Sequence, residues 1–124
     1  DKTKNHLIWL SLNQDNYPEF SHSMEQFKDV LTTKRYDSVF WQNKLALFYL
    51  KHGNTKQAER YFSRAIVKFP NSALLYNGLG KVFKQKGKIE KAKENFATAV
   101  TVATKKGDRN LAQYKLDLAS VNNN

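Results

Sequence analysis

The stretch VFWQNKLALFYLKHGNTKQAERYFSRAIVKFPNS, residues 39–72, decides the fold, because it recurs. The next stretch of the same length, residues 73–106, reads ALLYNGLGKVFKQKGKIEKAKENFATAVTVATKK. A shift of 34 residues aligns Asn43 with Asn77, Leu45 with Leu79, Gly53 with Gly87, Ala58 with Ala92, Phe62 with Phe96 and Ala65 with Ala99. Ala46 meets Gly80 and Tyr49 meets Phe83, so small matches small and aromatic matches aromatic. Recurrence at this period is the signature of a stacked repeat architecture.

Each class of matched residue has a packing role. Asp37 or Ser38 stands where a helix beginning near Val39 needs an N-cap. Trp41, Leu45, Phe48 and Tyr49 then follow helical spacing. Gly53 is expected at the C′ position, where a left-handed backbone suits glycine. Asn54 follows as the cap of a second helix, with Gln57 placed for a capping box. Ala58, Phe62, Ala65 and Ile66 make that helix's inner stripe. Pro70 cannot continue it, and Asn71 is expected to cap the next helix. Residues 73–106 repeat the scheme, with a second helix from Ile89 to about Lys105. Thr104 stands where the proline would be, so this helix is expected to run longer. Two antiparallel helices on a short turn must approach to about 8–10 Å. Ala46, Ala58 and Ala65 leave room for that approach, and Tyr49 and Phe62 fill the space beside them.

The pattern Leu45-Ala46-Tyr49-Gly53-Ala58-Phe62-Ala65-Pro70, then Tyr76-Leu79-Gly80-Phe83-Gly87-Ala92-Phe96-Ala99, resembles the tetratricopeptide repeat (TPR) family. Gln42 departs from it, standing where the family has Trp, with Trp41 one place earlier. The resemblance implies an all-α fold, a TPR-like right-handed superhelix of antiparallel helix pairs. The first helix of each pair would line a concave face that receives an extended peptide or a helix of a partner. Carried over to this chain, the peptide-binding groove would hold Phe40, Asn43, Leu47, Leu74, Asn77, Lys81, Lys84 and Lys115. A carboxamide offers both a donor and an acceptor to a peptide backbone, although Asn43 and Asn77 also fit as plain wet residues. The slots that grip chaperone C-terminal tails in some TPR proteins hold Asn43 and Leu47 here, so that ligand is not expected.

Outward from the two repeats, the whole of residues 1–124 reads as one domain. Residues 4–37 read as a degenerate repeat, with Leu7, Leu10, Ser11, Ser23, Phe27 and Val30 in the matching slots. Phe20, Met24, Phe27 and Leu31 make a helical stripe after Pro18. The apolar run of residues 7–12 fits either a buried helix or a strand of an upstream domain. Residues 107–121 are expected to form a capping helix, started by Asp108, with Leu111, Tyr114, Leu118 and Val121 inward and Arg109, Lys115 and Asp117 wet. Such a helix covers the apolar face that a stack leaves open. The last three asparagines are expected to fray.

The 124 residues carry 21 basic and 11 acidic side chains, a net charge of +10. The excess lies entirely in residues 37–124, and residues 81–93 are the densest stretch. A basic surface draws acidic partners; nucleic acid, an acidic peptide, anionic lipid and a merely solvated face all fit the count. Most aromatic residues occupy core slots and Lys dominates over Arg, which argues against base recognition. The expected partner is therefore an acidic protein or peptide.

Catalytic chemistry is poorly supplied. Cysteine is absent, which excludes disulfides and thiolate chemistry. The three histidines, His6, His22 and His52, lack a zinc-site spacing. The Ser21-His22-Ser23 run lacks a nucleophile-elbow pattern, and no glycine-rich phosphate loop is present. No catalytic residue, cofactor or metal is expected. No apolar run reaches the ~20 residues of a membrane helix. The chain begins at Asp1, which reads as an excised domain or a processed chain. Residues 69–80, with Ala103, Gly107-Asp108-Arg109-Asn110-Leu111 and Tyr114, also resemble the C-terminal TPR tail of some bacterial serine hydrolases. That resemblance implies an upstream catalytic domain, a docking or oligomerisation role, and a bacterial cytoplasmic or periplasmic setting.

Overall fold

The structure is a computed structural model and describes residues 2–28 and 36–122. Among these residues it contains seven helices and no strand: α1 Lys2–Asn13, α2 Tyr17–Gln26, α3 Val39–Lys51, α4 Thr55–Lys68, α5 Ala73–Gln85, α6 Ile89–Lys106 and α7 Leu111–Asn122. The chain forms two compact units, residues 1–41 and 42–124.

In the first unit, residues 7–12 lie within α1, so the strand alternative falls. The α1–α2 turn uses Asp15 in the left-handed region, at φ 54°. The Asn16 N–H closes it by donating to the Ser11 carbonyl at 2.8 Å. Asn16 then caps α2 by accepting from the Glu19 N–H, and Pro18 sits in the first turn, where its missing N–H is not needed. Ile8, Phe20, Met24 and Tyr36 are buried, with Ser11 and Ser23 among them. Ser11 is satisfied by donating to the Ile8 carbonyl at 2.8 Å. Phe27 is half-buried. Val30 and Leu31, like Asn123 and Asn124, lie outside the described residues.

The second unit follows the repeat. Gly53 and Gly87 have φ of +82° and +79°, a region that costs a Cβ-bearing residue about 1–2 kcal/mol. The next residue's N–H reaches back across each turn, Asn54 to the Tyr49 carbonyl at 2.9 Å and Lys88 to the Phe83 carbonyl at 2.8 Å. These bonds satisfy carbonyls that a helix end would otherwise leave open. Ser38, rather than Asp37, caps α3 by accepting from the Trp41 N–H at 3.2 Å. α6 has 18 residues against 14 in α4, as the missing proline predicts.

Three local expectations are corrected. Ser72, not Asn71, caps α5 by accepting from the Leu75 N–H at 3.3 Å; the Asn71 carbonyl instead accepts from the Lys106 ammonium. Asn54 accepts from the Gln57 N–H at 3.2 Å, but the reciprocal arm of the box is missing. The Asn54 N–H already serves the turn, and Gln57 Oε1 is buried without a partner. Asp108 does not cap α7: its carboxylate accepts from the Asn110 N–H at 2.8 Å, in a turn that precedes the helix.

The core of this unit centres on α5. Phe62 of α4 and Phe96 of α6 are fully buried. A Cβ at Gly78 would collide with the Phe62 ring, and one at Gly80 would lie 2.6 Å from the Phe96 ring. Two rings therefore rest directly on the α5 backbone, one from each neighbouring helix. α7 then docks through Tyr114 onto Ala73, Ala99 and Ala103, where the small residues open a socket for the ring.

Candidate functional site

Side-chain hydrogen bonds join α5 to α3 and to α7. Gln85 Nε2 donates to the Leu50 carbonyl at 3.5 Å, joining the ends of α3 and α5. Asn77 Nδ2 donates to Asp117 Oδ2 at 3.0 Å, and Lys84 Nζ donates to Ser120 Oγ at 3.0 Å. Both partners advance in the same sense along the chain, from Asn77 to Lys84 on α5 and from Asp117 to Ser120 on α7. Ser120 Oγ donates in turn to the Asp117 carbonyl at 2.6 Å, and Gln113 Nε2 donates to Asp117 Oδ1 at 3.2 Å. The carboxylate thus accepts from two carboxamides, a charge-assisted arrangement stronger than a neutral pair.

The expected groove residues divide by exposure. Lys81, Lys84 and Lys115 are exposed; Asn43, Leu47 and Leu74 are half-buried; Asn77 is 3% exposed. Asn77 is therefore no wet residue but part of the α5–α7 junction. Asp117, read from the sequence as wet, is its partner. Phe40 is 63% exposed and lies in the first unit, with its ring 5.6 Å from that of Trp41. The structure joins Asn77 and Lys84 to α7 and leaves Lys81 and Lys115 facing solvent.

Asn43 and Asn77 share one more property. The Oδ1 of each is buried and has no hydrogen-bond partner. An unsatisfied buried acceptor costs about 1–3 kcal/mol, and here the cost recurs at equivalent slots one repeat apart.

The dense basic stretch does not act as one patch. Lys86 pairs with Glu59 of α4 at 2.6 Å, and Lys93 lies 3.6 Å from Glu90. Lys91 sits over the Phe83 ring at 5.4 Å. Lys81 is exposed, and Lys84 donates to Ser120 of α7. Burial pushes the Tyr114 hydroxyl above its ordinary pKa, with the nearby Asp108 and Asp117 carboxylates adding to the shift.

Sequence reasoning did not find Asp117 or Ser120. The one available signal was Asp117 as the sole acid within α7, four residues after Gln113. Among the described residues, no group of three His, Asp or Glu is placed to hold a metal, and no helix is long and apolar enough to cross a membrane.

Comparison with curated proteins returns no match. Among solved structures, PcrH from Pseudomonas aeruginosa is similar in fold, with a TM-score of 0.75 at 18% identity over 98% of this chain and 93% of that one. PcrH in complex with the chaperone binding region of PopD gives a TM-score of 0.72 at 18% identity, over 98% of this chain and 92% of that one. At this identity the likeness concerns the fold alone. Family profiles described as tetratricopeptide repeat match residues 38–82 and residues 73–106. They span more than half of the sequence and fall on the recurring helix pairs, and on that ground the chain belongs to the tetratricopeptide repeat family.

Proposed function

We propose that this protein is a non-catalytic interaction module that receives an acidic segment of a partner protein along α3, α5 and α7. One observation carries the reading. Equivalent slots on successive first helices stay out of the packed core, half-buried and apolar at Leu47, exposed and cationic at Lys81 and Lys115. A surface that combines apolar and cationic side chains suits a peptide with apolar anchors flanked by carboxylates. The unpaired Oδ1 of half-buried Asn43 supports it, as an acceptor that a peptide N–H would satisfy once the carboxamide turns outward. The fold likeness adds support, since PcrH has been solved with a binding segment of another protein.

The test is Lys81→Glu with Lys115→Glu, which spares the Asn77–Asp117 junction. A labelled, extended peptide of alternating Leu and Glu serves as the probe in fluorescence anisotropy. Like-charge juxtaposition should weaken its affinity at least about tenfold, with helical content unchanged by circular dichroism. Equal affinity for the charge-reversed and parent proteins would remove this face from consideration.

A further inference from the structure

α4 carries four basic side chains at intervals of four residues, Lys56, Arg60, Arg64 and Lys68, all exposed. Residues four apart are neighbours on a helix, and like charges so placed disfavour it. The row follows one i±4 ridge for about 18 Å along the axis. Glu59 is the sole acid within α4, and its carboxylate is held by Lys86 at 2.6 Å, so it is already engaged with α5's end. The Arg64 guanidinium lies 4.8 Å from the centre of the Tyr61 ring, which steadies it beside the row.

The repeat itself does not require this row. One repeat on, the same slots of α6 hold Glu90, Glu94, Thr98 and Val102. The inner slots are kept, with Ala58, Phe62 and Ala65 matched by Ala92, Phe96 and Ala99. Packing fixes the inner face and leaves the outer ridge unconstrained, yet α4 gathers four cations where α6 has two carboxylates.

We propose that this ridge docks an acidic helix of a partner protein, one whose carboxylates recur every four residues. Such a helix presents charge at the same repeat of about 6 Å as the cations, so its carboxylates fall in register with Arg60 and Arg64. Bidentate geometry favours the two arginines at the centre. An anionic surface broad enough to span two repeats, such as a bilayer or a nucleic-acid duplex, would meet Glu90 and Glu94 as well. No ring on α4 is available for stacking on bases, because Tyr61 is 6% exposed and Phe62 fully buried. The ridge is a different surface from the face of α3, α5 and α7, and stands whether or not that face binds.

The experiment uses a stapled helical peptide with four glutamates at i, i+4, i+8 and i+12, and a second of equal composition with the glutamates scattered. The ordered peptide is expected to bind at least about fivefold more tightly. Arg60→Glu with Arg64→Glu should cost at least about tenfold in its affinity, and Arg60→Gln with Arg64→Gln an intermediate amount. Because α6 tolerates acid at the same slot as Arg60, helical content should be retained. Lys81→Glu with Lys115→Glu should leave this affinity within about twofold. Three results overturn the proposal: equal binding of the scattered peptide, no effect of the arginine substitutions, or tighter binding of phosphatidylserine vesicles or duplex DNA lost through those substitutions.

Discussion

The pairs α3–α4 and α5–α6 share one plan and differ at the place where it matters for stacking. Within the second pair the small slot faces the aromatic slot, Gly80 against Phe96, and the first pair carries Ala46 and Phe62 at the same slots, both buried. α5 alone has a second glycine, Gly78, and its counterpart in α3 is the exposed Lys44. Phe62 lies against Gly78, so the ring of the first pair rests on the backbone of the second. Contacts within a pair are written by the repeat, and the contact between pairs is written where the repeat departs from itself.

The largest test of that difference is Phe62→Ala. Loss of a fully buried ring that bridges α4 and α5 should cost about 3–5 kcal/mol, read from urea unfolding. A cost under about 1 kcal/mol would mean that the two pairs do not share a core through this ring. Next is Gly78→Ala, which adds a methyl where the Phe62 ring already sits. Overpacking should destabilise by about 1–3 kcal/mol, although alanine is the better helix former by about 1 kcal/mol. Lys44→Ala, at the equivalent exposed slot of α3, should change stability by less than about 0.5 kcal/mol. If the alanine at Gly78 proved as harmless as the one at Lys44, the ring would be yielding and the two pairs would be alike after all.

A smaller effect separates two adjacent residues. Ser72→Ala should cost about 1 kcal/mol because it removes the acceptor for the Leu75 N–H. Asn71→Ala should cost less, since only its backbone carbonyl is engaged. Urea midpoints for the two variants decide which residue starts α5, and a reversed order would restore the cap to Asn71.

The inner slots were legible because helical packing restricts them to small or aromatic residues, and that restriction repeats. Gly78 was not, because its partner lies in the preceding pair, beyond the pattern of its own repeat. A second glycine in mid-helix was the available hint, since it lowers helix propensity unless something lies close above it. Charge alone assigns Asp117 to water, and the Asn77 carboxamide that meets it lies 40 residues away in the chain. The ridge on α4 was written in the sequence but spread out. Counting charge by stretch picks residues 81–93, whereas counting along a helical ridge picks Lys56, Arg60, Arg64 and Lys68. The first unit departs more, because its turn falls at Asp15, three residues before Pro18, the slot that corresponds to Gly53.

The smallest effect concerns the end of the stack, where α7 replaces a further pair. Its anchor is Tyr114, 3% exposed among Ala73, Ala99 and Ala103. Burial, reinforced by Asp108 and Asp117, raises its pKa in the folded state. Below the ordinary tyrosine value of about 10, folded and unfolded chains both keep the proton and the contribution is complete. Above it the unfolded chain ionises first, so the unfolded state binds fewer protons and stability falls as pH rises. Tyr114→Phe keeps the ring and removes the titration. Melting temperatures taken from pH 8 to 11.5 should run parallel for the two proteins up to about pH 10 and then diverge, with the tyrosine form falling faster. Lysine titration and the buried Tyr61 hydroxyl act equally on both, so they cancel in the difference. Curves that stay parallel throughout would mean that the socket admits water, and that α7 caps the stack less tightly than α6 packs on α5.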